Sequence, residues 1–319
     1  MQVILAEGAL LDQTLDHTFE LWHEGLSREA YGRWNTTQLR TPWGRDHLHR
    51  FALVADDGTL LATAKRYRYD VRVHGRDGFM CGIGAVFTPP SQRGRGYASD
   101  LIERILRQEQ RDGALLASLF SEIGTTFYQR LGFEPVPFDE VTVTVKRKEG
   151  APAMLVRAGD ERDLPSLSAM HEIRAAGAPF ALRRDPAMIH YALSKKRLLA
   201  GFGPLGLRHV EFFVAEEGAS AVAYVVLQVN ANGWTLEEAG DRDPAGARLG
   251  AMLQVLAARE PARGTPLIRA WWPPTFTVPP QLALTDRIDA RDIFMVRALA
   301  DVEMPRRADD VFYWRSDYF

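Results

Sequence analysis

Cysteine is almost absent: Cys81 stands alone in 319 residues, which excludes an intrachain disulfide and any thiolate cluster for a metal, and fits a reducing compartment. The eight histidines are scattered; His17, His23, His47 and His49 make no His-x-x-x-His pair with a third ligand nearby, so no metal is expected. An excess of charge is missing too. Lys+Arg 39 against Asp+Glu 41 creates no basic field, so neither nucleic acid nor a membrane surface is expected as a partner. No stretch approaches the roughly 18 apolar residues of a membrane helix. Met1 to Glu7 lacks the positive start and apolar run of a signal peptide, and the expectation is a soluble, cytoplasmic protein. What the chain has is 46% hydrophobic residues, ample for one large or two ordinary cores.

The stretch from Cys81 to Phe133 organises the rest. Cys81 to Thr88 is predicted as a strand, with Cys81 itself a small buried hydrophobe rather than a nucleophile. A Pro-rich turn leads into Gln92-Arg93-Gly94-Arg95-Gly96-Tyr97-Ala98 and then a helix. Ala98, Leu101, Ile102, Ile105 and Leu106 fall at i, i+3, i+4, i+7 and i+8 and form one apolar stripe. A second strand is predicted over Leu115 to Phe120. Glycine lets backbone approach a ligand, a helix start aims unpaired N–H groups outward, and guanidinium groups add formal charge. A pyrophosphate suits that loop. A P-loop would need Gly-Lys-Ser/Thr, and a Rossmann loop a third spaced glycine with a later acidic residue; neither is present.

The order strand, Arg93-x-x-Gly96-x-Ala98, helix, strand, then Tyr128-x-x-Leu131-Gly132-Phe133 resembles the acetyl-coenzyme A core of the GCN5-related N-acetyltransferases (GNAT) over roughly residues 1 to 147. Ser121-Glu122-Ile123-Gly124, with Trp22, Gly25-Leu26-Ser27 and Tyr31, is similar to yeast-type lysine N-acetyltransferases; enhanced-intracellular-survival acetyltransferases share a Ser-Glu-then-Tyr arrangement. The resemblance implies acetyl-CoA as co-substrate, held by backbone at Val86, Phe87 and Thr88 and by the loop Arg93, Gly94, Arg95, Gly96, Tyr97 and Ala98. Ser121 would touch the pantetheine arm from the other side. Tyr128 matches the position of the family's proton donor, a role that suits a phenol protonated at neutral pH. For the base the resemblance offers the terminal carboxylate of Phe319, with Glu122 as rival. Trp22, Tyr31, Trp34 and Trp43 are candidates to line an acceptor pocket, although aromatics at such positions more often pack a core.

Along the chain, Val3 to Leu5 is a short strand, followed by a helix from about Leu10 to Trp22 and a second helix capped by Ser27. A hairpin is predicted over Arg50 to Ala55 and Leu60 to Tyr69 around Asp56-Asp57-Gly58. Alternation sets Lys65 on the face opposite Arg66 and Arg68, whose face is expected to be solvated. Val141, Val143 and Val145 alternate with threonines as a strand closing the first domain. The charged Lys146 to Pro152 segment is the expected boundary, giving a catalytic domain over 1–147 and a second domain over 153–319. The second half repeats the first in outline. Met252, Leu253 and Leu256 echo Leu101, Ile102 and Ile105, Gly264 echoes Gly113, and Leu155 to Gly159 is again a strand running into a helix. Asp241 and Asp243 put negative charge where phosphates would sit, so this copy is not expected to hold coenzyme A; walling the acceptor pocket and carrying the C-terminus there is its expected task.

The fold class expected is therefore α/β (α+β): tandem GNAT-like mixed sheets with flanking helices, the second copy degenerate. The expected activity is acetyl transfer from acetyl-CoA to a primary amine, a lysine-like small molecule first and an aminoglycoside-like polyamine second, by direct attack in a ternary complex. A non-catalytic acyl-CoA sensing module is the alternative. Oligomerisation stays open.

Overall fold

In a computed structural model of the chain the described residues are 1–146, 154–259 and 266–319. They form two compact units, one of Met1–Pro137, Arg291–Arg306 and Phe319, the other of Phe138–Ala290 and Arg307–Tyr318. In chain order the first unit supplies β1 (Gln2–Leu5), α1 (Gly8–Trp22), α2 (Arg28–Arg40), α3 (Pro42–His47), β2 (Leu48–Val54), β3 (Leu60–Val73), β4 (Arg76–Phe87), α4 (Tyr97–Arg111), β5 (Leu116–Ser121), α5 (Thr126–Gln129) and β6 (Glu134–Pro135). The second supplies β7 (Asp139–Val145), β8 (Val156–Ala158), α6 (Leu164–Ala175), β9 (Phe180–Leu182), α7 (Pro186–Phe202), β10 (Arg208–Glu217), β11 (Ser220–Asn230), β12 (Gly233–Asp241), α8 (Ala247–Ala258), β13 (Ile268–Ala270) and β14 (Leu282–Asp289). The chain then returns to the first unit for β15 (Ile293–Ala298) and to the second for β16 (Val311–Phe312).

In the first unit the strands run β1-β2-β3-β4-β5-β15-β6. Only β4 and β5 are parallel, as a strand–helix–strand crossover through α4 requires. The apolar stripe of α4 is buried as its spacing predicts, with Leu101, Ile102, Ile105 and Leu106 against Ala62, Ala64, Cys81, Ile83 and Leu119. Burial of each such leucine or isoleucine contributes about 1.5–3 kcal/mol. Cys81 lies in that core, and burial pushes its thiol well up from the ordinary range.

The second unit repeats the plan. Its sheet runs β14-β7-β13-β12-β11-β10-β8, with β12 and β13 parallel and α8 between them in the chain. Met252, Leu253 and Leu256 are buried in its core, as their echo of the first half predicts; Gly264 lies outside the described residues.

Three expectations differ from what is found. The strand Val141 to Val145 does not close the first sheet. As β7 it pairs with β13 and β14 of the second, while β15, from beyond residue 290, fills the place beside β5. The expected boundary at 147–153 lies outside the described residues, and the compact units divide after Pro137 instead. Alternating valines specify which face a strand buries, but a backbone ladder carries no label for the sheet it joins. Arg66 and Arg68 are also not on a solvated face. Arg66 is buried, and both guanidinium groups reach the buried Glu109 of α4, at 3.4 Å and 2.7 Å, so this pair pins α4 to β3.

Candidate active site

Parallel pairing of β4 with β5 starts at Met80↔Leu116 and ends at Ile83↔Leu119, although the strands continue to Phe87 and Ser121. The two therefore part, and β4 bends where they do. Thr63 opposes Phe87 while Lys65 opposes Gly84, which leaves one extra residue on β4, a bulge. Ala85 lies there with φ +47°, a left-handed conformation that costs a non-glycine residue about 1–2 kcal/mol. Val86, Phe87 and Thr88 thus lead out past the end of the parallel ladder.

Beyond Thr88 the chain turns through Pro90–Gln92 to the loop. The Arg93 Nε donates to the Thr88 carbonyl at 3.2 Å and the Arg95 Nη1 to the Gln92 Oε1 at 3.3 Å, both side chains being exposed. Gly94 and Gly96 have φ of +74° and +80°, where L side chains are strained. Gly96 is the N-cap of α4, which has no side-chain cap, so the amides of the first turn are left for an external acceptor. Two guanidinium groups beside an uncapped helix start match the charge and donor pattern of a pyrophosphate. Arg93 through Ala98, the loop residues named from sequence, lie on this one bend before and at the start of α4.

At the end of β5, Ser121 is buried and its hydroxyl donates to the Gly124 carbonyl at 2.5 Å. That bond closes the turn into α5, so the serine's proton is used in shaping the loop. Glu122 and Ile123 are exposed on the same turn. Tyr128, on α5, is 8% exposed and packs edge-on against Phe127 and Phe133, ring centres 4.9 Å and 6.2 Å away. Burial, and secondarily the charge of Glu122, pushes its phenol up to about 12.

On the face of the sheet away from α4 lies an aromatic cluster centred on Phe319. Its ring sits 4.9 Å from Tyr67, 5.3 Å from Tyr69 and 5.5 Å from Phe120. A side chain at Gly82 would meet the Phe319 ring at 2.9 Å, and one at Gly84 would lie 3.6 Å from the Phe319 main-chain carbonyl carbon. Those two glycines flank the point where β4 and β5 part, which brings Phe319 to the divergence. Two glycines a pair of residues apart inside a strand signal such a close approach; together with Tyr67 and Tyr69 they are the surroundings that sequence reasoning missed. Of the four aromatic pocket candidates, Trp43 is buried in a stack with His47 and Tyr69, and Tyr31 is buried with its hydroxyl 3.0 Å from that of Thr18. Trp22 meets Phe87 edge-on at 6.4 Å, and Trp34 carries the Lys65 ammonium 5.7 Å from its ring centre; both are half-buried.

Residues 10–136 match the family model described as an acetyltransferase (GNAT) domain. This segment is similar to GNAT acetyltransferase domains. The match supports an acyltransferase, and proteins of that superfamily generally use acetyl-CoA. No curated protein matches the chain significantly. Solved structures share the fold, among them the following three. A conserved protein of Enterococcus faecalis V583, described as a probable N-acyltransferase, has a TM-score of 0.69 at 14% identity, over 93% of this chain and 72% of its own. A GCN5-related N-acetyltransferase from Kribbella flavida gives 0.64 at 18%, over 93% and 70%. One from Anabaena variabilis ATCC 29413 gives 0.68 at 12%, over 94% and 73%. The GNAT domain match ends at residue 136, where the first compact unit leaves off before β15. Among the described residues no group of His, Cys, Asp and Glu could hold a metal ion, and no helix is long and apolar enough to cross a membrane.

Proposed function

We propose that the protein transfers an acetyl group from acetyl-CoA to a primary amine by direct attack within a ternary complex, with a lysine-like small molecule as first candidate acceptor. The observation that carries this reading is the opening of β4 from β5 after Ile83 and Leu119, in the same unit as the uncapped start of α4 and the protonated phenol of Tyr128. The resemblance to yeast-type lysine N-acetyltransferases at Trp22, Tyr31 and Ser121 to Gly124 supports the choice of acceptor.

The bound co-substrate supplies the activated acetyl thioester. The first-turn amides of α4, with Arg93 and Arg95, hold the diphosphate, and Val86 to Thr88 orient the pantetheine arm. Tyr128 donates its proton to the departing thiolate, a transfer that general acids accelerate about 10²–10⁴-fold. The α-carboxylate of Phe319 takes the amine's proton, a role supported by the nearness of its carbonyl carbon to Gly84. Glu122 is the less favoured base, being exposed on the turn before α5.

Incubating the protein with acetyl-CoA and a panel of primary amines, and reading free thiol, tests the proposal. Acceptor-dependent thiol release is expected, and a short extension after Phe319 is expected to lower it without changing the affinity for CoA. Heat on CoA binding with no thiol release for any amine would leave a binding module and refute the transfer.

A further inference from the structure

Three arginines of the described residues are buried, and they are treated very differently. Arg66 reaches Glu109 at 3.4 Å. Arg184 is compensated by Glu238 at 2.6 Å and Asp317 at 3.2 Å. Arg50, on β2, is 4% exposed, and among the described residues the one polar contact of its guanidinium is a long one from Nη2 to the Asn35 Oδ1, 3.4 Å. Its Nη1 has no hydrogen-bond partner, and it makes no ion pair among the described residues. Burying a guanidinium without a counter-charge costs several kcal/mol, so the position calls for an anion.

The register shows where that anion would lie. Arg50 stands opposite Lys65, and Leu48 opposite Tyr67. Alternation then puts Arg50, Thr63, Lys65 and Tyr67 on one face, the face on which Phe319 packs against Tyr67. The Thr63 hydroxyl, one cross-strand step from Arg50, is buried and likewise lacks a partner. Desolvation lowers the Arg50 pKa, and the groups that act against this are the hydroxyls of Tyr31 and Tyr67, which places the guanidinium among phenols with no carboxylate near it. Lys65 adds a second cation beside the Trp34 ring.

We propose that Arg50 holds a carboxylate of the acceptor, so that the acceptor is an amino acid or similar amine bearing an anionic group, with the Thr63 hydroxyl adding a hydrogen bond to the anion. This rests on the acetyl-transfer reading for the fate of the amine, but the anion site itself does not. It separates the two acceptor classes, because a polycationic amine would meet Arg50 and Lys65 as like charges.

Matched amines that differ in the carboxylate serve as probes: L-lysine and cadaverine, L-ornithine and putrescine, L-tryptophan and tryptamine. Each is titrated by calorimetry into the CoA-saturated full chain, and thiol release from acetyl-CoA is read in parallel. In at least one pair the amino acid should bind about tenfold or more tightly than its decarboxylated partner, the worth of a charge-assisted hydrogen bond. Arg50→Gln should bring that ratio near one, and Arg50→Lys should restore part of it. A preference in binding with no thiol release from any amine would support the anion site and sink the transfer reading. Thiol release with no pair favouring its carboxylate would overturn the anion site and leave the transfer standing. If Arg50→Gln does not fold, the wild-type ratios decide alone, since ratios near one in all pairs refute the proposal. A folded Arg50→Gln that keeps the preference refutes it too, because Arg50 would then be structural only.

Discussion

Replacing Tyr128 by phenylalanine tests the chemistry most directly. The substitution keeps the ring that packs on Phe127 and Phe133 and removes a hydroxyl that makes no hydrogen bond among the described residues. Stability should therefore change by less than about 1 kcal/mol, since no buried partner is stranded. The rate should change far more. With Tyr128 as the acid, Tyr128→Phe is expected to slow single-turnover thiol release at saturating acetyl-CoA by about 10²-fold or more, with the affinity for CoA unaltered. The pH dependence sharpens the test. Because burial holds the phenol near 12, above the ordinary value of about 10, it stays protonated across neutral and mildly alkaline solution, and the rate should show no fall from this group below about pH 10. The same shift bears on stability. A folded-state pKa raised above the unfolded one gives stability that is complete below about 10 and lost as pH rises toward 12, a loss that Tyr128→Phe should remove. A variant within about twofold of wild type in single-turnover rate would refute the proton-donor role. A wild-type alkaline limb well below pH 10 that disappears in the variant would keep that role and refute instead the burial that raises the phenol's pKa.

Arg93→Ala and Arg95→Ala should each weaken CoA binding by about three- to tenfold, with a smaller effect at high salt, because both guanidinium groups are exposed and screened; calorimetry at two ionic strengths reads this, and no change in either variant would remove the loop from the site. Arg184→Met should cost the second unit about 3–5 kcal/mol in urea unfolding, since it strands the fully buried Glu238 and Asp317. Adding Glu238→Gln and Asp317→Asn to that variant should recover much of the loss, and a loss that persists would point to packing rather than charge.

Much of the first unit was legible because its signals are local. The 3.6-residue stripe of α4, the glycines with positive φ at 94 and 96, and Ser27 accepting from the Ala30 amide at 3.2 Å all act within a turn of chain. Partners far apart in sequence were not legible. Alternation correctly separated Lys65 from Arg66 and Arg68, yet it could not say that Glu109, more than 40 positions on, would cover one of those faces. Nor could valines at every second position choose between two sheets of the same plan. Arg50 carries no sequence signal at all, being one cation at the start of a hairpin; only burial without a counter-charge singles it out.

The degenerate loop shows how far a charge pattern can be read. Sequence reasoning held that Asp241 and Asp243 would repel phosphates, which treats them as a field. Asp241 does something more specific. Gly246 takes the same left-handed N-cap geometry before α8 as Gly96 does before α4. The buried Asp241 carboxylate then accepts from the Leu249 amide in the first turn of α8 at 2.9 Å, and from the Asp243 amide at 2.8 Å. The chain thus supplies its own anion at the helix start. In the first unit the equivalent amides have no side-chain cap, and the groups added nearby are arginines. One fold therefore meets the same requirement, unpaired amides at the start of a crossover helix, from within in one copy and, in the function proposed above, with an external diphosphate in the other. On that reading, closing the second copy to a phosphate needs no change of backbone, only a carboxylate at the end of β12.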